Sequence, residues 1–322
     1  MKTISELTDV YYTRLYPILE ELEVQRKKLK TKIINIGIVY NVVALIIFFL
    51  LISVHIELGN LYAYIVFVIF SQLFLYKYLS KDYVDNFKQK IMFPLVNSLS
   101  KNLTYMPKLF IPHSYFQRSQ LFVSRDYEIK VNGDDYIRGK IDDIEVQISE
   151  LNVEKKLQNK TRGDKWHGCF HGLFIVSEFN KKLKGQTFVL PDSAQKIFGT
   201  QIGNFLQSTN THTGKLVKMD NINFEKEFVV YSTDQIEARY ILTPAMMERI
   251  LQLKNSFKHP LHLSFIGNYI YIAIEYNKDL FEPSVFRSLL EYKIAMQYLQ
   301  TLHLAIGIVE ELKLNQKLWS KL

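Results

Sequence analysis

Ile33 to Val54 reads IINIGIVYNVVALIIFFLLISV, a run whose only polar interruptions are Asn35, Gly37, Asn41 and Ser53. After the six residues HIELGN comes a second run, LYAYIVFVIFSQLFLYKYL, from Leu61 to Leu79. A helix needs about 20 apolar residues to cross the hydrocarbon core of a bilayer, and both runs approach that length. Two such segments joined by so short a turn predict a transmembrane helical hairpin. Glu20, Glu21 and Glu23 precede the first run, which a short basic leader peptide lacks, so it is not read as a signal sequence. Asn35 and Asn41 inside it are expected to hydrogen-bond between helices.

Charge sets the expected orientation. Arg26, Lys27, Lys28, Lys30 and Lys32 stand before the first run, and Lys77, Lys81, Lys88 and Lys90 follow or close the second. HIELGN holds no Lys or Arg. By the positive-inside rule both termini are cytoplasmic and only the turn faces out. Tyr76 and Tyr78 belong to the aromatic belt, and Lys77 extends its ammonium toward the headgroups. Arg26, Lys27, Lys28, Lys30, Lys32, Tyr76, Lys77 and Tyr78 are therefore the expected membrane-anchoring residues, and the lipid bilayer is the first expected partner.

The rest of the 322-residue chain is ordinary for a globular protein, with 48% hydrophobic and 22% charged residues. The net charge of +8 is not gathered in one basic domain: residues 1–90 carry 11 Lys/Arg against 8 Asp/Glu, and the remainder 29 against 24. Membrane topology accounts for the densest cluster, and no nucleic-acid partner is expected. One cysteine excludes an internal disulfide framework and suits a reducing compartment.

Residues 1–32 read as an N-terminal cytoplasmic helix with Leu7, Tyr11, Leu15, Ile18, Leu19 and Leu22 on one stripe, bent at Pro17. Residues 33–79 form the hairpin. Residues 80–107 continue as a stalk helix, with Val84, Phe87, Ile91, Leu95 and Leu99 at helical spacing. From 108 to 283 short segments alternate with Gly, Asn and Asp. KVNGDD reads as a turn, DYIRGKIDDIEVQISELNVE as a hairpin, and HGCFHGLFIVSEF with QTFVLP as a second hairpin. FEKEFVVYST reads as a strand, then two helices follow, the second with Thr243 as N-cap and Pro244 behind it. LHLSF and YIYIAIEY close the series. The fold class is α+β: antiparallel strands with helices segregated around them. Pro283 opens an expected long helix over 284–322. Its stripe of Tyr292, Ala295, Leu299, Leu302, Ile306 and Val309 packs along the protein or against another copy, giving a homo-oligomer as a further expected partner.

Several phrases line up with one family. They include YPILEELEVQRKK, KQKIMFPLVNSLSKNLTYMP, FHGLFIVSEFNKKLKGQTFVLPD, FEKEFVVYSTDQIEARYILTP and LFEPSVF. The most specific piece joins Phe228-x-Val230 to Asp234, Glu237-Ala238-Arg239-Tyr240 and Leu242-Thr243-Pro244. In this order the chain resembles a bacterial family of two-helix membrane proteins built on a domain of unknown function. The resemblance covers nearly the whole chain, thinning after Phe286. It implies the same topology and placement in the bacterial inner membrane, and brings no activity with it.

Two stretches hold the candidate sites. WHGCFHGLF, from Trp166 to Phe174, carries His167, Cys169 and His171. On a regular strand these three share one face, and Trp166, Gly168, Phe170, Gly172 and Phe174 share the other. Adjacent pairs then stand about 7 Å apart, and a zinc site lacks a further ligand, so no metal is expected and the three are the lesser candidates. DQIEARYILTP supplies Asp234, Glu237 and Arg239. Asp234 is a helix cap with Glu237 in capping-box position, and Arg239 pairs with a carboxylate of the domain or reaches an anionic ligand. Asp126, Asp234, Glu237 and Arg239 are the candidate ligand-binding residues. No Walker-type loop, His-Glu-x-x-His or Gly-x-Ser-x-Gly motif is present, and no cofactor is implied. The first reading is a membrane-held binding or assembly module for a cytoplasmic protein or small ligand. The second is an enzyme acting on a membrane-associated or nucleotide substrate, which requires Asp126, Asp134, Glu237 and Arg239 to converge in one pocket. The third is a subunit of a membrane oligomer or channel.

Overall fold

The computed structural model describes residues 11–54, 57–122, 128–141, 144–157, 164–179, 182–192, 214–276, 278–291, 298 and 300–307. They fall into two compact units, one within 2–94 and 282–297, the other within 95–281 and 298–322.

The first unit is an antiparallel helical hairpin. A π-helical turn (Tyr11–Leu15) leads into α1 (Tyr16–Ser53), and α2 (Leu58–Phe87) returns to a second π-turn, Lys88–Met92. The N-terminal segment and the first apolar run thus form one helix, and the second apolar run continues without a break into the stalk. Pro17 sits in the first turn of α1, directly after the π-helical turn. Both helices are long and apolar enough to cross a membrane, and their apolar windows are unburied. Polar groups pair across the hairpin: Gln72 Nε2 donates to Asn41 Oδ1 at 2.6 Å, Tyr64 Oη to Ala44 O at 2.8 Å, and Tyr40 bonds Ser71. Asn41 therefore plays the interhelical part expected of it; its Nδ2 also bonds Gly37 O at 2.8 Å. The same antiparallel register continues below, where Lys90 Nζ meets Glu21 Oε1 at 2.7 Å. Leu15, Leu19 and Leu22 of the expected stripe are buried, as are Tyr83 and Phe87 of α2.

Residues 282–291 belong to this unit, and those from Ser284 to Glu291 make no helix. The reason is competition for their backbone. Arg26 donates to Val285 O at 2.6 Å, and Leu289 N donates to Glu23 Oε2 at 3.1 Å. A helix over 284–322 is thus not present at its start. Among the described residues helix appears at 298 and 300–307, where Leu302, Ala305 and Ile306 are buried. Positions 292, 295, 299 and 309 of that stripe, and everything from 308 on, lie outside what is described for side chains.

The second unit is α+β, with a nine-stranded antiparallel sheet in the order β1-β2-β3-β4-β9-β8-β5-β7-β6. α3 (Phe93–Leu99) leads into β1 (Leu103–Met106) and α4 (His113–Ser119). Next come β2 (Ile129–Ile141), β3 (Ile144–Leu157), β4 (Lys165–Glu178), β5 (Gln186–Pro191) and β6 (Lys215–Leu216). Then follow α5 (Ile222–Glu227), β7 (Phe228–Ser232), α6 (Gln235–Ile241), α7 (Pro244–Phe257), β8 (Leu261–Ile266) and β9 (Tyr269–Glu275).

Three local expectations are corrected. KVNGDD is no turn but part of β2. Gly133 is there because a Cβ would stand 2.3 Å from Glu150 O of the neighbouring strand. FEKE is helical and only FVVYS is strand; Asn221 caps that helix by accepting from Phe224 N at 3.0 Å. Finally, β4 and β5 do not pair. The β8–β9 hairpin is inserted between them, β4 bonding β9 and β5 bonding β8. Its strands are buried almost throughout, which suits the middle of a sheet covered on both faces. One core cluster joins Phe116, Phe170, Phe174, Val176, Tyr271 and Ala273 with Leu151 and Val153.

Candidate functional site

The strand that contains WHGCFHGLF is not regular. Val153 faces Phe170 and Glu154 faces Gly168, so Cys169 is the extra residue of a β-bulge. The bulge breaks the alternation, and Cys169 packs with Phe170 against the same core cluster rather than sharing a face with both histidines. Burial pushes its thiol up to about 11, the reverse of what a nucleophile needs. His167 is exposed on the outer stretch of the strand. His171 alone of the three meets acidic partners: its Nε2 lies 3.4 Å from Asp279 Oδ1 and 3.6 Å from Glu150 Oε1.

Glu150 is the unexpected member. It is 3% exposed, and burial pushes its carboxyl up to about 9, with Asp135, Asp279 and Asp134 adding to the rise. Leu280 N pulls the other way, donating to both carboxylate oxygens at 3.1 and 3.0 Å. Asp134, Asp135 and Glu150 place one carboxylate oxygen each within 4.8 Å of the others, as Glu150, His171 and Asp279 do with their ligand atoms. Asp135 is buried at the bulge of β2 with φ 55°, a left-handed conformation, and accepts a hydrogen bond from Tyr105. A faint signal of Glu150 existed in the sequence. Ile144, Val146 and Ile148 alternate inward, and Glu150 is next in that register.

DQIEARYILTP has structural duties. Asp234 accepts from Ile236 N at 2.9 Å and Glu237 N at 3.0 Å, capping α6. Glu237 does not reach back to the cap residue; it spans to Lys184 N at 3.0 Å and Gly185 N at 2.8 Å, pinning the connection that leads into β5. Arg239 is exposed and reaches Lys218 O at 3.4 Å, a carbonyl rather than the carboxylate expected. Asp234→Ala removes an acceptor from two N–H groups and is expected to cost about 1 kcal/mol of unfolding free energy, measured by denaturant titration; no change would deny the cap its weight. Asp134 and Glu237 do not converge: Asp134 lies on the second strand of the sheet, and Glu237 follows the eighth. Asp126 lies outside the described residues.

A concave surface lies elsewhere. A cleft of about 650 Å³ is lined by Gln117, Arg118, Gln120, Gln186, Asn268 and Tyr269, among others. Two local conformations shape it: Gly267 (φ 65°) turns the β8–β9 hairpin, and Gln120 (φ 54°) ends α4. The hairpin turn is held from behind, Phe179 N donating to Asn268 O at 2.6 Å and Leu183 N to Gly267 O at 2.7 Å. Ser264 Oγ donates to Ser119 O at 2.7 Å, tying α4 to β8. Arg118 lies over the Tyr115 ring at 5.9 Å, and Tyr115 meets Tyr269 edge to face at 5.9 Å. Tyr271 forms the buried floor, its hydroxyl pushed up to about 12 by burial against the opposing pull of Arg118. Among the described lining residues Arg118 is the one charged side chain.

The residues expected to flank a membrane divide. Lys27, Lys28, Lys32, Lys77 and Tyr78 are exposed and Lys30 is half-buried. Arg26 is instead buried, in a bidentate bond with Glu23 at 2.7 and 2.8 Å. Tyr76 stacks on Phe286 at 6.1 Å. These two turn to protein rather than to a headgroup.

The chain finds no match among curated proteins. Among solved structures it is similar to the crystal structure of the mycobacterial trehalose monomycolate transport factor A, TtfA. The TM-score is 0.32 and the identity 10%, covering 66% of this chain and 90% of that one. Residues 168–314 match the model of a protein family described as "Protein of unknown function (DUF3137)", a segment that runs from the bulged strand through the β8–β9 hairpin and beyond.

Proposed function

We propose that this protein is a membrane-anchored binding module whose α+β domain takes a small ligand bearing an anionic group. The α1–α2 hairpin crosses the inner membrane twice, with both termini and the whole sheet on the cytoplasmic side. The apolar, unburied surface of the two helices supports the anchor, and the basic flanks without any Lys or Arg in HIELGN support the orientation. The observation that carries the ligand reading is the cleft. Its described lining joins one guanidinium to four carboxamides, two tyrosines and a serine, and includes no Asp or Glu. Such a wall hydrogen-bonds a polar ligand on several sides and favours a negative charge at Arg118.

Thermal unfolding of the full chain in mild detergent, with a panel of small carboxylates, sugar phosphates and nucleotides, tests this reading. At least one anionic class is expected to raise the midpoint by several degrees. Arg118→Gln is expected to weaken that ligand at least tenfold while the protein still folds. A panel without effect, or a ligand indifferent to Arg118→Gln, overturns the reading. Orientation is checked separately. Alkaline phosphatase fused within the turn at Glu57 should be active and one fused after Leu322 inactive.

A further inference from the structure

Glu150, His171 and Asp279 come from three separate segments: β3, the inner half of β4, and the chain just after β9. Their ligand atoms nevertheless lie within 4.8 Å of one another. The separations from His171 Nε2, 3.4 Å to Asp279 and 3.6 Å to Glu150, exceed an N–H···O hydrogen bond, and one nitrogen cannot serve both carboxylates well. They do match another geometry. Ligands held at roughly 2.1 Å from a tetrahedral zinc-like ion stand about 3.4 Å apart.

Supporting contacts hold the three in place. Leu280 N donates to both oxygens of Glu150, which fixes that carboxylate and also places the adjacent Asp279. Tyr276 N donates to His171 O at 2.9 Å, fixing the backbone from which the imidazole projects. Among the described residues His171 is the only basic side chain in ion-pair reach of Glu150 or Asp279. Two carboxyl groups thus share a single imidazole. Such second-layer bonds to ligand groups are what orient and tune metal ligands.

We propose that Glu150, His171 and Asp279 form a three-ligand site for a divalent transition cation of the zinc type. One imidazole with two carboxylates suits zinc, and the soft-metal alternative is weak because Cys169 is packed against the core cluster instead. Three protein ligands leave a fourth position for water or a bound group. Asp279 and His171 are partly exposed, so an ion reaches the site from solvent.

The test uses the full chain in detergent after chelator treatment and dialysis. Zn²⁺ is titrated in competition with a chromophoric chelator, with Mg²⁺ and Ca²⁺ as comparison ions. One equivalent of Zn²⁺ is expected to bind at micromolar affinity or tighter, with Mg²⁺ and Ca²⁺ at least a hundredfold weaker. His171→Ala and Asp279→Asn alter partly exposed side chains and leave the fold intact by circular dichroism. Each should weaken Zn²⁺ at least tenfold, whereas His167→Ala should not. Absence of saturable Zn²⁺ binding overturns the proposal. So does binding that persists unchanged in both His171→Ala and Asp279→Asn.

Discussion

Arg26→Ala is expected to destabilise the helical hairpin unit by about 3–5 kcal/mol, the cost of leaving one member of a buried ion pair without the other. Arg26 and Glu23 are 5% and 4% exposed, and the guanidinium makes a fork onto the carboxylate while its third nitrogen holds Val285 O. With Arg26 gone, Glu23 keeps Leu289 N and Ser288 but no positive charge. Arg26→Lys should recover little, since an ammonium cannot supply the planar fork. The hydrogen bond from Arg26 holds the Glu23 carboxyl below its ordinary value of 4.5. Its folded pKa therefore lies under its unfolded one. The contribution is present above about pH 4.5 and fades as pH falls through the lower folded value. Denaturant unfolding in detergent should show a wide gap between wild type and Arg26→Ala at neutral pH, narrowing in acid. Leu substitution at both Glu23 and Arg26 should cost less than Arg26→Leu alone. Equal midpoints for wild type and Arg26→Ala would remove the ion pair from any account of how residues 282–291 are held.

That pair also explains what the sequence concealed. Pro283 followed by apolar residues at helical spacing is a sound local signal for a helix start. The chain at 285 and 289 is claimed instead by side chains 259 and 266 residues earlier. No local pattern carries a contact of that separation. Arg26 misled for the same reason: in sequence it is one of five basic residues before an apolar run, and only its burial beside Glu23 distinguishes it. The hairpin of two helices long and apolar enough to cross a membrane, by contrast, was legible because length and apolarity are written in the residues themselves.

Within the sheet the division is similar. The β2–β3 and β8–β9 hairpins join neighbours in sequence, and their signals lie in the residues themselves. The place of β8–β9 between β4 and β5 is a long-range choice, settled by which strands tolerate burial on both faces. The bulge at Cys169 had no sequence signature, and it undid the assignment of faces built on strict alternation. Of the candidate residues, Asp234 caps its helix as its position suggested, whereas Glu237 leaves the capping box for Lys184 and Gly185, a reach that was not foreseeable. Glu150 was foreseeable in part, as a carboxylate in an inward register. Arg118 was not, because α4 is short and its neighbours in the cleft come from β5 and the β8–β9 turn.

Gly172→Ala is expected to cost about 4 kcal/mol or more, which places it with the backbone clashes that defeat folding rather than the common run of substitutions. A Cβ there would stand 2.0 Å from Ile274 O and 2.9 Å from Tyr276 N, both backbone atoms of the adjoining strand segment, and φ is +152°. Neither neighbour can yield cheaply, because β9 lies mid-sheet and is bonded to β8 on its other side. The β4–β9 pairing that begins at Gly172 and Glu275 would have to part. His171 O would lose Tyr276 N with it, so the imidazole would leave Glu150 and Asp279. Gly168 is the internal comparison, four residues earlier in WHGCFHGLF. A Cβ there meets nothing within 4 Å, so Gly168→Ala should fall within about 0.5 kcal/mol of wild type. The two variants are compared by soluble yield and by denaturant midpoint of the detergent-solubilised chain. Gly172→Ala should accumulate as aggregate, or unfold far earlier, while Gly168→Ala behaves as the parent. Equal behaviour of the pair would contradict the close approach of β4 to β9 on which the interior of the sheet depends.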